Sequence, residues 1–105
     1  MFLYNTTFAI DIDIEKEVIP WLKETFLDKA NISDYFLNVQ APNILRVLGA
    51  EPSVASIAVH LYSESIDDIE KWYADYGSEL FNYVLKKWNK KVLFFSTTLE
   101  LIHAC

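Results

Sequence analysis

His60 is the side chain in this sequence with the clearest chemical use. Histidine titrates near neutrality, so it can serve as a general base or hold a ligand. Asn5, Thr7 and Thr98 can exchange hydrogen bonds, Tyr62 offers a phenol, and Arg46 can clamp a carboxylate through its planar fork. Together His60, Asn5, Thr7, Arg46, Tyr62 and Thr98 are the candidate ligand-binding residues; no catalytic residue is assigned. Each also has a plainer use. His60 suits a sheet position bonded to a neighbour or a subunit contact. Arg46 suits an edge-strand or interface salt bridge, and Tyr4, Tyr62, Tyr73 and Tyr76 suit aromatic packing.

Other chemistries find no support. Gly49 and Gly77 are too far apart for a phosphate loop, and there is no His-Glu-x-x-His, no paired cysteine and no nucleophile elbow. Metal hydrolysis, nucleotide binding and serine-type hydrolysis drop accordingly. His103 and Cys105 near the end supply two ligands, which do not make a metal site. No metal and no cofactor is expected.

Six elements must position the candidate residues, in the order strand, helix, strand, strand, helix, strand. The first strand spans about Phe2 to Asp11, with Tyr4, Thr6, Phe8 and Ile10 on one side and Asn5, Thr7 and Ala9 on the other. A helix follows, with Asp13 as its expected cap and Ile14, Val18, Trp21, Leu22 and Phe26 as its apolar stripe. Pro20 predicts a kink, and Asn31 ends the helix. The second strand lies within Phe36 to Leu48, interrupted by Pro42, which suits an edge position. Gly49 to Ser53 is the hairpin connection, and Val54 to Tyr62 the third strand. Ser65-Ile66-Asp67-Asp68 starts the second helix, whose expected stripe is Ile66, Ile69, Trp72, Tyr73 and Tyr76. Gly77-Ser78 predicts a break before a further segment, Glu79 to Trp88. The last strand closes the pattern from Val92 onward.

This order predicts an α+β, ferredoxin-like βαββαβ fold: a four-stranded antiparallel sheet with both helices on one face. Parity sorts the sheet. The larger apolar side of each strand is expected to face the helices. The open face then carries Asn5, Thr7 and Ala9, with Ala58, His60 and Tyr62, with Phe94, Ser96, Thr98 and Glu100, and with Arg46. A one-residue slip would send any strand's set to the other side.

Composition narrows the partners. One domain, residues 1–105, is the natural count at this length. Apolar residues make up 52% and aromatics 15%, rich enough to expect apolar surface buried between subunits. A net charge of −6 disfavours nucleic acid, because phosphate binding needs clustered cations. The main cluster, Lys86-Lys87 with Lys90-Lys91, falls at a helix end, where cations complement the dipole. No stretch has the roughly 18 consecutive apolar residues of a membrane span, and no secretion signal opens the chain, so a cytoplasmic location is expected.

Several segments carry a resemblance. They are Tyr4-Asn5-Thr6-Thr7, Trp21-Leu22-Lys23, Arg46-Val47-Leu48-Gly49, Ile69-Glu70-Lys71-Trp72-Tyr73 and Phe95-Ser96-Thr97-Thr98-Leu99-Glu100. In these the chain resembles, over essentially its whole length, a family of short bacterial proteins catalogued only as a domain of unknown function. That resemblance implies a fold and no chemistry. More distantly, the layout is similar to the dimeric α/β-barrel superfamily, which includes small monooxygenases, haem-degrading proteins and ligand-sensing domains whose paired sheets enclose pockets. The expected function is a non-enzymatic homodimeric binding or interaction module pairing through its open sheet face. The alternative is a small cofactor-independent monooxygenase-like or haem-binding protein, with a small-molecule ligand at the sheet–sheet interface.

Overall fold

A computed structural model describes residues 1–39, 41, 43–49 and 51–103. Pro42 and Cys105, both singled out in the sequence, lie outside the described residues. The elements are β1 (Phe2–Asp11), α1 (Glu15–Trp21), α2 (Leu27–Asn31), β2 (Ile44–Arg46), β3 (Val54–Ser63), α3 (Ile66–Trp72), α4 (Ser78–Trp88) and β4 (Val92–Glu100). A π-turn, Leu22–Phe26, joins α1 to α2, and another, Tyr73–Gly77, joins α3 to α4. The result is two helical rods, residues 15–31 and 66–88. The sheet is antiparallel in the order β2-β3-β1-β4, which leaves the short β2 and the long β4 at the edges.

Alternation in β1 and β3 behaves as their side chains dictate. Tyr4, Thr6, Phe8 and Ile10 are buried, as are Ile57, Val59 and Leu61 on the neighbouring strand. These residues meet Val18, Leu22 and Phe26 of the first rod and Ile69, Trp72, Phe81 and Val84 of the second in one core. Aromatic rings fill its centre. Phe26 meets Phe8, Trp72 and Phe81 edge-on, with centroids 5.7–5.8 Å apart.

Local signals fared unevenly. The first rod begins before Pro20, and its irregularity takes the form of the π-turn just beyond it. Asp13 does not cap α1, which starts without a side-chain cap; Asp11 caps the 3₁₀ turn before it, its carboxylate accepting the Asp13 backbone N–H at 3.0 Å. Ser65 caps α3 as expected, accepting from the Asp68 N–H. Ile66 and Tyr73, expected in the stripe, are exposed: Ile66 is the first residue of α3, and Tyr73 opens the π-turn.

Gly77-Ser78 does not break the second rod. Gly77 has helical dihedrals, φ −61° and ψ −43°, and its value is space. A Cβ there would stand 2.8 Å from Trp72 Cζ3 and 3.1 Å from Tyr73 Cδ2. An ordinary Gly→Ala change inside a helix gains about 0.5–1 kcal/mol. Here the fully buried Trp72 ring cannot give way, and overpacking of this kind costs about 1–3 kcal/mol. Gly77→Ala is therefore expected to lower stability by about 1–2 kcal/mol, read as a lower urea midpoint at unchanged slope. A raised midpoint would show that the ring yields.

Candidate functional site

The open face assembles from strand registers. Asn5 pairs with His60, Thr7 with Ala58, Leu3 with Tyr62, and Ala9 with Ser56. Directly opposed residues in an antiparallel pair share a face. Asn5, Thr7, His60 and Tyr62 thus stand together on the side away from the helices, as the parity of β1 and β3 predicts.

The same logic corrects the placement of the β4 residues and of Arg46. Tyr4 pairs with Thr98, Thr6 with Ser96, and Phe8 with Phe94. Since Tyr4, Thr6 and Phe8 face the helices, so do Thr98, Ser96 and Phe94, and with them Glu100. Thr98 is therefore separated from His60 by the sheet itself. Ser96 meets Tyr4 and Thr6 in a small hydroxyl cluster at 3.1 and 2.8 Å, and Phe94 stacks on Phe81 with centroids 4.8 Å apart. Arg46 pairs with the buried Ile57 and also lies on the helix side, where its guanidinium forms a salt bridge with Glu15 at 2.5 Å. The edge-strand salt bridge was the right use for Arg46, and the open face the wrong place for it.

What β4 brings to the open face instead is Leu93, Phe95, Thr97 and Leu99. Leu93 and Phe95 are each 63% exposed and Leu99 47%. Leu45 joins them from β2, because it pairs with Ala58. Between Asp11 at one rim and the far end of the sheet, none of these face positions carries a formal charge, in a chain that is 23% charged. Interface centres are depleted of charge in just this way. The signal was present in the sequence as Leu93, Phe95 and Leu99 at alternate positions.

Chemistry on this face is sparse. Asn5 Nδ2 donates to Thr7 Oγ1 at 3.4 Å, while Asn5 Oδ1 is buried and accepts nothing. The backbone of His60 is held on both sides by Asn43: its N–H donates to the Asn43 carbonyl, and its carbonyl accepts from Asn43 Nδ2. Partial burial pushes the His60 imidazole below its ordinary value, favouring the neutral ring. The carboxylate on its face, Asp11, stands at the rim six residues along β1 from Asn5, the partner of His60, too far to orient the ring as the base of a catalytic pair requires.

The depressed His60 value sets a pH dependence. As pH falls below about 6.5, the unfolded chain takes up a proton that the folded chain still refuses. The contribution is complete above that value and is lost as pH drops toward the folded one. Between pH 7.5 and 5.5, the urea midpoint of wild type is expected to fall slightly more than that of His60→Asn. Parallel curves for the two proteins would count against the assignment.

The family model for a domain of unknown function, DUF4286, matches residues 1–102. The chain belongs to this family. Among curated proteins, none matches it. The DUF4286 assignment brings no activity with it, so the face must be judged on its own chemistry. No helix among the described residues is long and apolar enough to cross a membrane, and no group of three or more His, Cys, Asp or Glu among them is placed to hold a metal ion.

Proposed function

We propose that this DUF4286 chain is a single ferredoxin-like domain that acts as a non-enzymatic binding module, two copies pairing bare sheet to bare sheet in the manner of a dimeric α/β barrel. One observation carries the proposal: the uncharged open face displays Leu93, Phe95 and Leu99 to solvent. A soluble monomer rarely leaves such a patch uncovered. Three long strands, β3, β1 and β4, of ten, ten and nine residues, lie side by side across that face. Sedimentation equilibrium tests the proposal. A particle of about twice the 12.2 kDa chain mass is expected at micromolar concentration. A monomer at tens of micromolar defeats it.

A further inference from the structure

The two π-turns face each other. π-turns are rare and lengthen the hydrogen-bonded ring of the helix, and they concentrate at functional positions. Here Thr25, from Leu22–Phe26, and Asp75, from Tyr73–Gly77, line one groove of about 470 Å³ between the helical rods. That volume lies in the usual range of small-molecule sites. The groove belongs to the helical layer and not to the bare sheet, so it is independent of the pairing proposed above.

Its walls are chemically uneven. At one end Trp21 and Tyr83 stack, with ring centroids 5.3 Å apart and planes 11° from parallel. At the other end stand Lys29 and Asp75, with Glu79 one helical turn beyond Asp75. The Trp72 indole N–H donates to the Lys29 carbonyl at 3.2 Å, which locks Lys29 beside the turn that carries Asp75. The Tyr35 hydroxyl donates to Asp75 Oδ2 at 2.6 Å and holds that carboxylate in position. Among the described residues the ion pairs are Arg46–Glu15 and Lys87–Glu17. Lys29, Asp75 and Glu79 therefore line a common groove without neutralising one another.

We propose that this groove binds a small zwitterion with an apolar body, the chemistry of a free apolar α-amino acid. An α-amino acid carries its ammonium and carboxylate on one carbon, and the groove sets Lys29 and Asp75 at one end with Glu79 midway toward Tyr83. Asp75 and Glu79 receive the ammonium, Lys29 receives the carboxylate, and the side chain lies toward the Trp21–Tyr83 stack. From Lys29 to Trp21 is eight residues along the rod, about 12 Å, which accommodates a molecule of that size. A molecule bearing only one of the two charges would leave the opposing wall group without a partner, so it binds more weakly.

The test is a titration of the full chain with L-phenylalanine and L-leucine, followed by amide and indole resonances. Shifts are expected at Thr25, Lys29, Asp75, Glu79 and the Trp21 indole N–H. Phenylalanine methyl ester and N-acetylphenylalanine, which each lack one charge, are expected to bind about tenfold or more weakly. Glu79→Gln and Lys29→Met sit outside the core and are expected to weaken phenylalanine binding by a similar factor with an unchanged melting curve. No shift with either amino acid, equal binding of the ester, or shifts centred on Asn5 and His60 would each overturn the assignment.

Discussion

Phe95→Asp is expected to run as a folded monomer under conditions where wild type sediments as a dimer. Phe95 pairs with Thr7 on the open face and is 63% exposed, so the isolated chain has little to lose. Exposed substitutions of this kind change stability by about 0.5 kcal/mol or less. In a two-fold dimer the position counts twice, because the same patch is used by both copies. Burying one phenylalanine contributes about 1.5–3 kcal/mol, so its loss from both copies weakens association by roughly 10² to 10⁴. Burying two carboxylates in its place adds to that. The neighbouring ring gives the contrast. Phe94 lies on the helix side, against Phe81 and Phe8. Phe94→Ala is expected to lower the unfolding midpoint by leaving a cavity while the remaining protein still associates. If Phe95→Asp sediments as wild type does, the open face is not the contact.

The adjacent phenylalanines also show where the sequence could be read and where it could not. In β1 and β3 one parity holds large apolar residues and the other small or polar ones, so the core side announces itself. In β4 both parities are apolar. Leu93, Phe95 and Leu99 outweigh Val92 and Phe94, which invites the assumption that the larger set faces the helices. That assumption fails when an apolar surface is kept for a second purpose. It puts Thr98 on the open face with His60, and the register with Tyr4 moves it to the helix side. Arg46 failed differently: β2 has three residues, too few for alternation to define a side. Gly77 read as a helix end because glycine usually marks one, yet here it makes room for an indole. The inter-helical groove left no local trace. Lys29, Asp75 and Glu79 look like solvated helix charges until two rods, distant in sequence, are laid side by side.

Trp72→Ala is expected to bring the chain close to unfolding. The indole is fully buried and touches Tyr4, Phe26 and Phe36, with centroids at 6.1, 5.7 and 5.1 Å. It thus reaches the sheet, the first rod and the segment leading to β2 together. Truncating a buried tryptophan costs about 3–5 kcal/mol through lost burial and the cavity left behind. The indole N–H also donates to the Lys29 carbonyl, and an acceptor stripped of its partner adds about 1–3 kcal/mol. Against the 5–15 kcal/mol that hold a typical domain together, that is a large share. Trp72→Phe separates the two contributions, since it keeps most of the apolar volume and loses the donor. It is expected to cost well under half as much in urea unfolding. Equal losses from the two variants would mean that the bond to Lys29, which ties the rods together at the groove's charged end, matters more than the packing of the ring.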